Sequence, residues 1–170
     1  MKKTIDFDEI PDWQTFENLV AAYFRQVNEQ SNSVNIAVKP SGEGADGGRD
    51  ILVTFHLTDS IISFERKWVV QCKFYKKSVS KSKLSTVNIP TLIHEYKADG
   101  YLLVCKNDVT SSVSTMFENL ERNCRMNYDY LFWNGSEFAA RLNIIPYKPV
   151  IQTDFPEYYQ FLLQSGGEKI

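Results

Sequence analysis

The stretch Ser41-Gly42-Glu43-Gly44-Ala45-Asp46-Gly47-Gly48-Arg49-Asp50-Ile51-Leu52-Val53 decides how this chain folds. Its first eight residues hold four of the chain's eight glycines, a density that marks a turn. Gly42 to Gly47 also match the GxGxxG spacing of dinucleotide-binding turns. That chemistry needs a helix to start within the glycines, so that its N-terminus meets a pyrophosphate. Here the β-forming run Ile51-Leu52-Val53 follows instead, and Glu43 and Asp46 would repel phosphate. No Gly-Lys-Ser/Thr closes the turn, so a Walker loop fails as well. The glycines lead into a strand.

Upstream, Val34–Val38 alternates as a strand does. Before it, Trp13, Phe16, Leu19, Val20, Tyr23, Phe24 and Val27 recur at helical spacing in one wide apolar stripe, with Asp12 as N-cap. Downstream, Asp50–His56 and Trp68–Tyr75 read as two strands joined through a turn at Leu57–Ser63, and a Lys/Ser-rich loop covers Lys76–Lys83. Pro90 suits the first turn of a helix, which places the second helix over Ile89–Lys97. Tyr101–Cys105 is wholly apolar, the pattern of a strand buried on both faces. Ser112–Cys124 reads as an amphipathic helix, Tyr130–Trp133 as a strand and Glu137–Leu142 as a short helix. The order α-β-β-β-α-β-α-β predicts an α/β domain around a central mixed sheet.

With 170 residues, 43% hydrophobic and 24% charged, the chain has the size and composition of one globular domain. Residues 1–150 are expected to form it. Residues 151–170 are expected to add a helix, through Phe155, Tyr158, Tyr159 and Leu162, and a glycine-containing tail suited to a linker toward a further domain. No apolar run reaches the roughly 18–20 residues of a membrane span, so no membrane partner is expected. The start MKKTIDFDEIPDW lacks the apolar core of a secretory signal. Cys72, Cys105 and Cys124 are odd in number and form no CxxC pair, which suits thiols in a reducing cytoplasm better than zinc.

The chemistry concentrates on two strands. Alternation puts Gln71 and Lys73 on one face, with Val70, Cys72 and Phe74 on the other. If the strand that begins at Asp50 is a neighbour, a carboxylate, an amide oxygen and an ammonium meet at one end of the sheet. Oxygen donors of that kind suit a hard cation such as Mg2+, which binds one or two carboxylates together with waters and substrate phosphate. A lysine beside it would orient the attacking water and offset charge growing on a phosphate. Glu17 falls at the edge of the first helix's apolar stripe, either at the solvent boundary or directed into a site beside the core. His56 and His94 have no partner at ligand spacing, and Ser111-Ser112 lacks the glycines of a nucleophile elbow.

Trp13-x-x-Phe16-Glu17, Gly44-Ala45-Asp46-Gly47-Gly48-Arg49-Asp50 and Val70-Gln71-Cys72-Lys73, in this order, resemble the Mrr-like restriction endonucleases. These belong to the PD-(D/E)xK nuclease superfamily, in the variant where Gln replaces the second motif's acidic residue. The resemblance runs from about Trp13 to Trp133. It implies a restriction-endonuclease-like three-layer α/β/α fold and hydrolysis of DNA phosphodiesters with Mg2+, or Mn2+ in its place. It also implies roles: Asp50 as main metal ligand, Lys73 as catalytic lysine, Gln71 beside the metal and Glu17 as a helix-borne auxiliary ligand. Gly44, Asp46, Gly47 and Gly48 would shape the turn. The expected setting is cytoplasmic defence against foreign DNA, by restriction or as an anti-phage effector, with an added sensor or specificity domain or a homo-oligomer supplying sequence choice.

Charge is partitioned in a way that fits. Arg66, Lys67, Lys73, Lys76, Lys77, Lys81 and Lys83 lie in a span with no acidic residue, while the rest of the chain carries 12 basic against 21 acidic residues. The total of −2 therefore conceals a strip of +7, a candidate DNA-contacting face in which Arg66, Lys67, Lys76, Lys77, Lys81 and Lys83 flank the catalytic lysine. Two other readings stand beside the nuclease: a catalytically silent nucleic-acid-binding module on the same fold, and an interaction domain that recruits a partner through its tail helix.

Overall fold

The computed structural model describes residues 4–29, 34–40, 49–58, 61–144 and 149–165. The turn residues Gly44, Asp46, Gly47 and Gly48 lie outside the described residues, as does the glycine tail. Five strands form one sheet in sequential order: β1 (Val34–Pro40), β2 (Ile51–Thr58), β3 (Ser63–Lys73), β4 (Gly100–Cys105) and β5 (Asp129–Trp133). β1, β2 and β3 pair antiparallel, whereas β3, β4 and β5 run parallel. The mixed sheet expected from sequence is therefore observed.

Helices cover both faces. Helix α1 (Trp13–Glu29) begins where Asp12 accepts the Thr15 N–H at 2.7 Å, an N-cap that satisfies one of the helix's orphan donors. Its residues Phe16, Leu19, Val20, Tyr23 and Phe24 pack against Ile51, Val53, Val70, Cys72, Leu102 and Val104. Helices α4 (Gly135–Ile144), α5 (Pro149–Asp154) and α6 (Pro156–Gln164) join the same face through Phe138, Leu142, Val150, Ile151, Phe155 and Tyr158. The division expected at residue 150 thus falls inside α5, and α5 and α6 close the core that α1 opens. The Glu9 carboxylate holds the start of α6 by accepting the Glu157 N–H at 3.0 Å, an anion placed where helix amides converge.

The parallel strands need crossovers, and right-handed crossovers advancing in one direction put both connecting helices on one face. Accordingly α2 (Ile89–Tyr96) and α3 (Ser111–Asn123) lie opposite α1, packing Leu92, Ile93, Val113 and Phe117 onto Val69, Tyr101, Leu103 and Cys105. Asn88 caps α2, with Pro90 in its first turn, and Lys97 ends it at φ 49. Gly100 follows for a different reason: a Cβ there would meet the Trp68 ring at 2.6 Å. All six residues of β4 are buried, as a strand covered on both faces must be.

Three expectations change. β3 begins at Ser63 rather than Trp68, because its first residues belong to a hairpin that projects past the core and stays exposed. The Lys/Ser-rich loop contains a short 3-10 turn at Lys81–Leu84, pinned by buried Leu84. Trp13 is 58% exposed and does not join the core stripe, because it stands on the first turn of α1, beyond the packed part of the sheet.

Candidate active site

The site residues gather where β3 and β4 end and β2 begins. Asp50 is the residue before β2, and β3 clamps it twice: its N–H donates to the Val70 carbonyl at 3.0 Å, and its Oδ2 accepts the Cys72 N–H at 2.5 Å. Its side chain thus continues the ladder where the β2 backbone leaves it. A charge-assisted bond of this length fixes the carboxylate between the residues flanking Gln71.

Three charged groups act on Cys72. Burial, and then the Asp50 and Glu17 carboxylates, push its thiol well up, while the Lys73 ammonium pulls it down. Asp50 and Lys73 come from the sheet edge. Glu17 comes from α1, which covers the face that Val70 and Cys72 line. The choice left open for Glu17 is thereby narrowed: it is half-buried and acts on the same thiol as Asp50.

Gln71 occupies the opposite face. It is 2% exposed, and its Oε1 accepts from the Tyr101 hydroxyl at 2.6 Å. Burial, and then the Asp50 charge, push the Tyr101 phenol well up, so the hydroxyl keeps its proton and donates. One of the two lone pairs on the oxygen that a metal-ligand role for Gln71 requires is therefore already engaged from the interior.

Lys106 is a second lysine at this edge, missed by sequence reading. Its N–H donates to the Lys73 carbonyl at 3.0 Å, so the two lysines are ladder neighbours. Its side chain, 7% exposed, runs over the Phe74 ring at 4.4 Å to a 2.6 Å ion pair with Asp8. The hydrogen bond and charge of Lys106 hold the Asp8 carboxyl below the usual carboxylate range. The one available signal was its place directly after a wholly apolar strand. A polar cleft of about 570 Å³ opens beside Lys106, between the N-terminal segment and α4; none of Glu17, Asp50, Gln71 and Lys73 lines it.

The basic strip divides in two. Lys76, Lys77, Lys81 and Lys83 are exposed on the segment that leaves Lys73. That segment is tied to the end of β4 by Val79, whose N–H meets the Asp108 carbonyl at 2.8 Å and whose carbonyl takes the Thr110 N–H at 3.0 Å. Arg66 and Lys67 stand seven and six residues earlier on β3, roughly 20 Å or more from Lys73 at the rise of an extended strand. Arg66 bonds to Asp129 and lies over the Trp68 ring at 5.2 Å. The Lys67 N–H donates to the Asp99 carboxylate at 2.7 Å, and the Lys67 carbonyl accepts the Asp99 N–H at 2.8 Å. These two belong to the far end of the sheet.

The donor set suits a hard divalent cation better than zinc. Among the described residues no group of three or more His, Cys, Asp or Glu side chains could hold a metal ion, which rules against a closed zinc-type cage built from them. Asp50 at the start of β2 and half-buried Glu17 on α1 both act on Cys72, and two such carboxylates would suit a hard divalent cation that keeps waters and takes substrate phosphate.

Comparison with known proteins agrees with this architecture. No curated protein sequence matches the chain. Among solved structures it is similar to the DNA modification-dependent restriction endonuclease AspBHI, at TM-score 0.56 and 16% identity over 94% of this chain and 37% of that one. It is also similar to the MspJI restriction endonuclease, solved in complex with a 27-mer oligonucleotide, at TM-score 0.57 and 16% identity over 89% of this chain and 31% of that one. The chain thus spans about a third of the length of either protein. The Mrr_cat family model, described as restriction endonuclease, matches residues 9–141. With most of its length under that match, and with the mixed sheet and flanking helices it requires, the chain belongs to the Mrr-type restriction endonuclease family.

Proposed function

We propose that this chain hydrolyses DNA phosphodiester bonds with the help of a divalent cation, Mg2+ or Mn2+. The observation that carries the reading is the clamped Asp50, which shares the surroundings of Cys72 with Glu17 and Lys73. Asp50 and Glu17 would hold the cation, which supplies charge stabilisation at the scissile phosphate and lowers the pKa of the attacking water. Lys73 faces the same edge with a compact positive charge that offsets the negative charge growing on the phosphoryl oxygens. Lys76, Lys77, Lys81 and Lys83 would hold the flanking phosphates in place. Their role is positional, and sequence or modification choice falls to an added domain or to a homo-oligomer. In this reading the protein serves cytoplasmic defence against foreign DNA, by restriction or as an anti-phage effector.

The test is direct. Plasmid DNA is incubated with Mg2+ or Mn2+ and the wild-type chain, Asp50→Ala or Lys73→Ala. Nicking or linearisation by the wild type alone supports the reading. Equal persistence of the plasmid in all three samples, across both metals and a range of protein concentrations, favours the silent DNA-binding module instead.

A further inference from the structure

Gln71 and Tyr101 form a polar pair inside a layer of apolar side chains. Tyr101 is fully buried, with Val69, Leu103 and Phe117 in the same cluster, and its hydroxyl gives its hydrogen to Gln71 Oε1 at 2.6 Å. Sheet packing alone would be served by two apolar residues, since a buried amide and hydroxyl gain little net stability even when paired. The pair therefore points to a task at the edge beside it. Tyr101 faces Val69 in the parallel register, two residues before Gln71, so its hydroxyl approaches the amide from the interior side. An amide is planar and carries its oxygen and nitrogen on opposite sides of its axis. Fixing the oxygen toward Tyr101 leaves the NH2 group on the other branch of the amide, and Gln71 itself lies between the two residues that clamp Asp50 and two before Lys73.

We infer that Tyr101 is a positioning residue, and that it makes Gln71 a hydrogen-bond donor to the reacting phosphate rather than a ligand of the cation. This deepens the nuclease reading and rests on it. Gln71 then serves the site with its nitrogen, the one atom in which it differs from the acidic residue it replaces in the superfamily pattern. The cation is left to the two carboxylates. A neutral donor beside them binds a phosphate oxygen without adding negative charge that would repel the DNA backbone.

A double-mutant cycle over Tyr101→Phe and Gln71→Met tests the assignment, with folding of each variant checked by its urea midpoint. Tyr101→Phe is expected to lower kcat about tenfold, the scale of a lost supporting contact, while KM for DNA holds. In the Gln71→Met background the same change should do nothing further. An equal loss in both backgrounds means that Tyr101 only supports the fold, and overturns the inference. Calorimetric titration with Mn2+ gives a readout independent of cleavage: the metal Kd should be the same in wild type and Gln71→Met. A weakening of about tenfold, the usual scale for losing support at a metal site, restores Gln71 as a ligand and overturns it. If Tyr101→Phe fails to fold, Gln71→Glu serves, since it keeps the acceptor for Tyr101 and removes the donor. Slower cleavage by Gln71→Glu supports the inference, and equal or faster cleavage overturns it. A wild type that cleaves nothing sinks the nuclease reading, while the Mn2+ titration still judges whether Gln71 is a ligand.

Discussion

Replacing Asp50 by Asn and by Ala separates the two duties of this carboxylate. In the native chain Oδ2 takes the Cys72 N–H at 2.5 Å, a bond to a charged acceptor that contributes about 1.5–3 kcal/mol. Alanine removes the acceptor and leaves the N–H next to a buried thiol, so that contribution is lost. At about 2–4 °C per kcal/mol for a chain of this size, Tm falls by about 3–12 °C. Asparagine keeps an oxygen in place as a neutral acceptor and costs about 1 kcal/mol, so its Tm falls by about 2–4 °C. Neither variant keeps the negative charge. A divalent ion at ten times its Kd stabilises the native chain by about 1.4 kcal/mol, raising Tm by about 3–6 °C, and neither variant should respond. Cleavage should drop by at least about 10³, the equivalent of roughly 4 kcal/mol of lost transition-state stabilisation. Thermal scans with and without Mg2+, run beside plasmid cleavage, read both effects. Asp50→Asn that cleaves within tenfold of wild type, or that still shifts with Mg2+, refutes the assignment. Equal Tm losses in the two variants refute the account of the clamp.

The loop lysines and the far-end basic residues should behave differently. Lys77→Ala should weaken DNA binding and reduce the slope of log K against log salt by about 0.9, one phosphate contact; Lys67→Ala should leave the slope unchanged, as read by fluorescence anisotropy with Ca2+ in place of Mg2+. Gly135→Ala should destabilise by about 1–3 kcal/mol, measured by urea unfolding, because its Cβ would meet the Lys106 carbonyl oxygen at 2.1 Å. Of the three thiols, Cys124 should react first with a disulfide reagent near neutral pH. Its pKa is lowered because the Met126 and Tyr128 N–H groups outweigh its slight burial, whereas Cys72 and Cys105 are pushed up and should label only on unfolding. Burial raises the Cys105 thiol to about 12. Its contribution to stability is therefore complete below about pH 9, the unfolded value, and is lost as pH rises toward 12. Cys105→Ala should flatten that part of the alkaline unfolding curve.

Periodicity carried the fold a long way. The α1 stripe with its Asp12 cap, the start of α2 at Ile89-Pro90 and the apolar run of β4 follow from residue spacing and from the chemistry of caps. The pairing of the strand that follows Asp50 with the strand that carries Lys73 was legible too, because two neighbouring strand runs joined by a turn suffice for it. What failed was distance along an extended strand. Arg66 and Lys67 are near Lys73 in sequence, yet at about 3.3 Å per residue they end at the other side of the sheet. The Tyr101–Gln71 bond was invisible because it depends on the parallel register of β3 and β4, which links residues 30 apart. Lys106 carries no local signal of its pairing, since nothing in its neighbourhood tells that Asp8, far away near the N-terminus, comes back to meet it. Trp13 matched the stripe by angle alone, and an angle does not say where the partner surface stops.

The clamp on Asp50 also bears on how such a protein is made. Its two bonds join residues on either side of a hairpin, Glu17 arrives on a helix from the opposite face, and Tyr101 lies on a strand that follows a crossover. No shorter stretch of the chain holds these groups in their relative places. A ribosome must release the sequence past β4 before β3 has its parallel partner, and until then the residues of the candidate site are scattered over unpaired segments. On the proposed nuclease reading, assembly from distant segments would work as a safeguard, because unfinished or partly melted copies would lack the joined site.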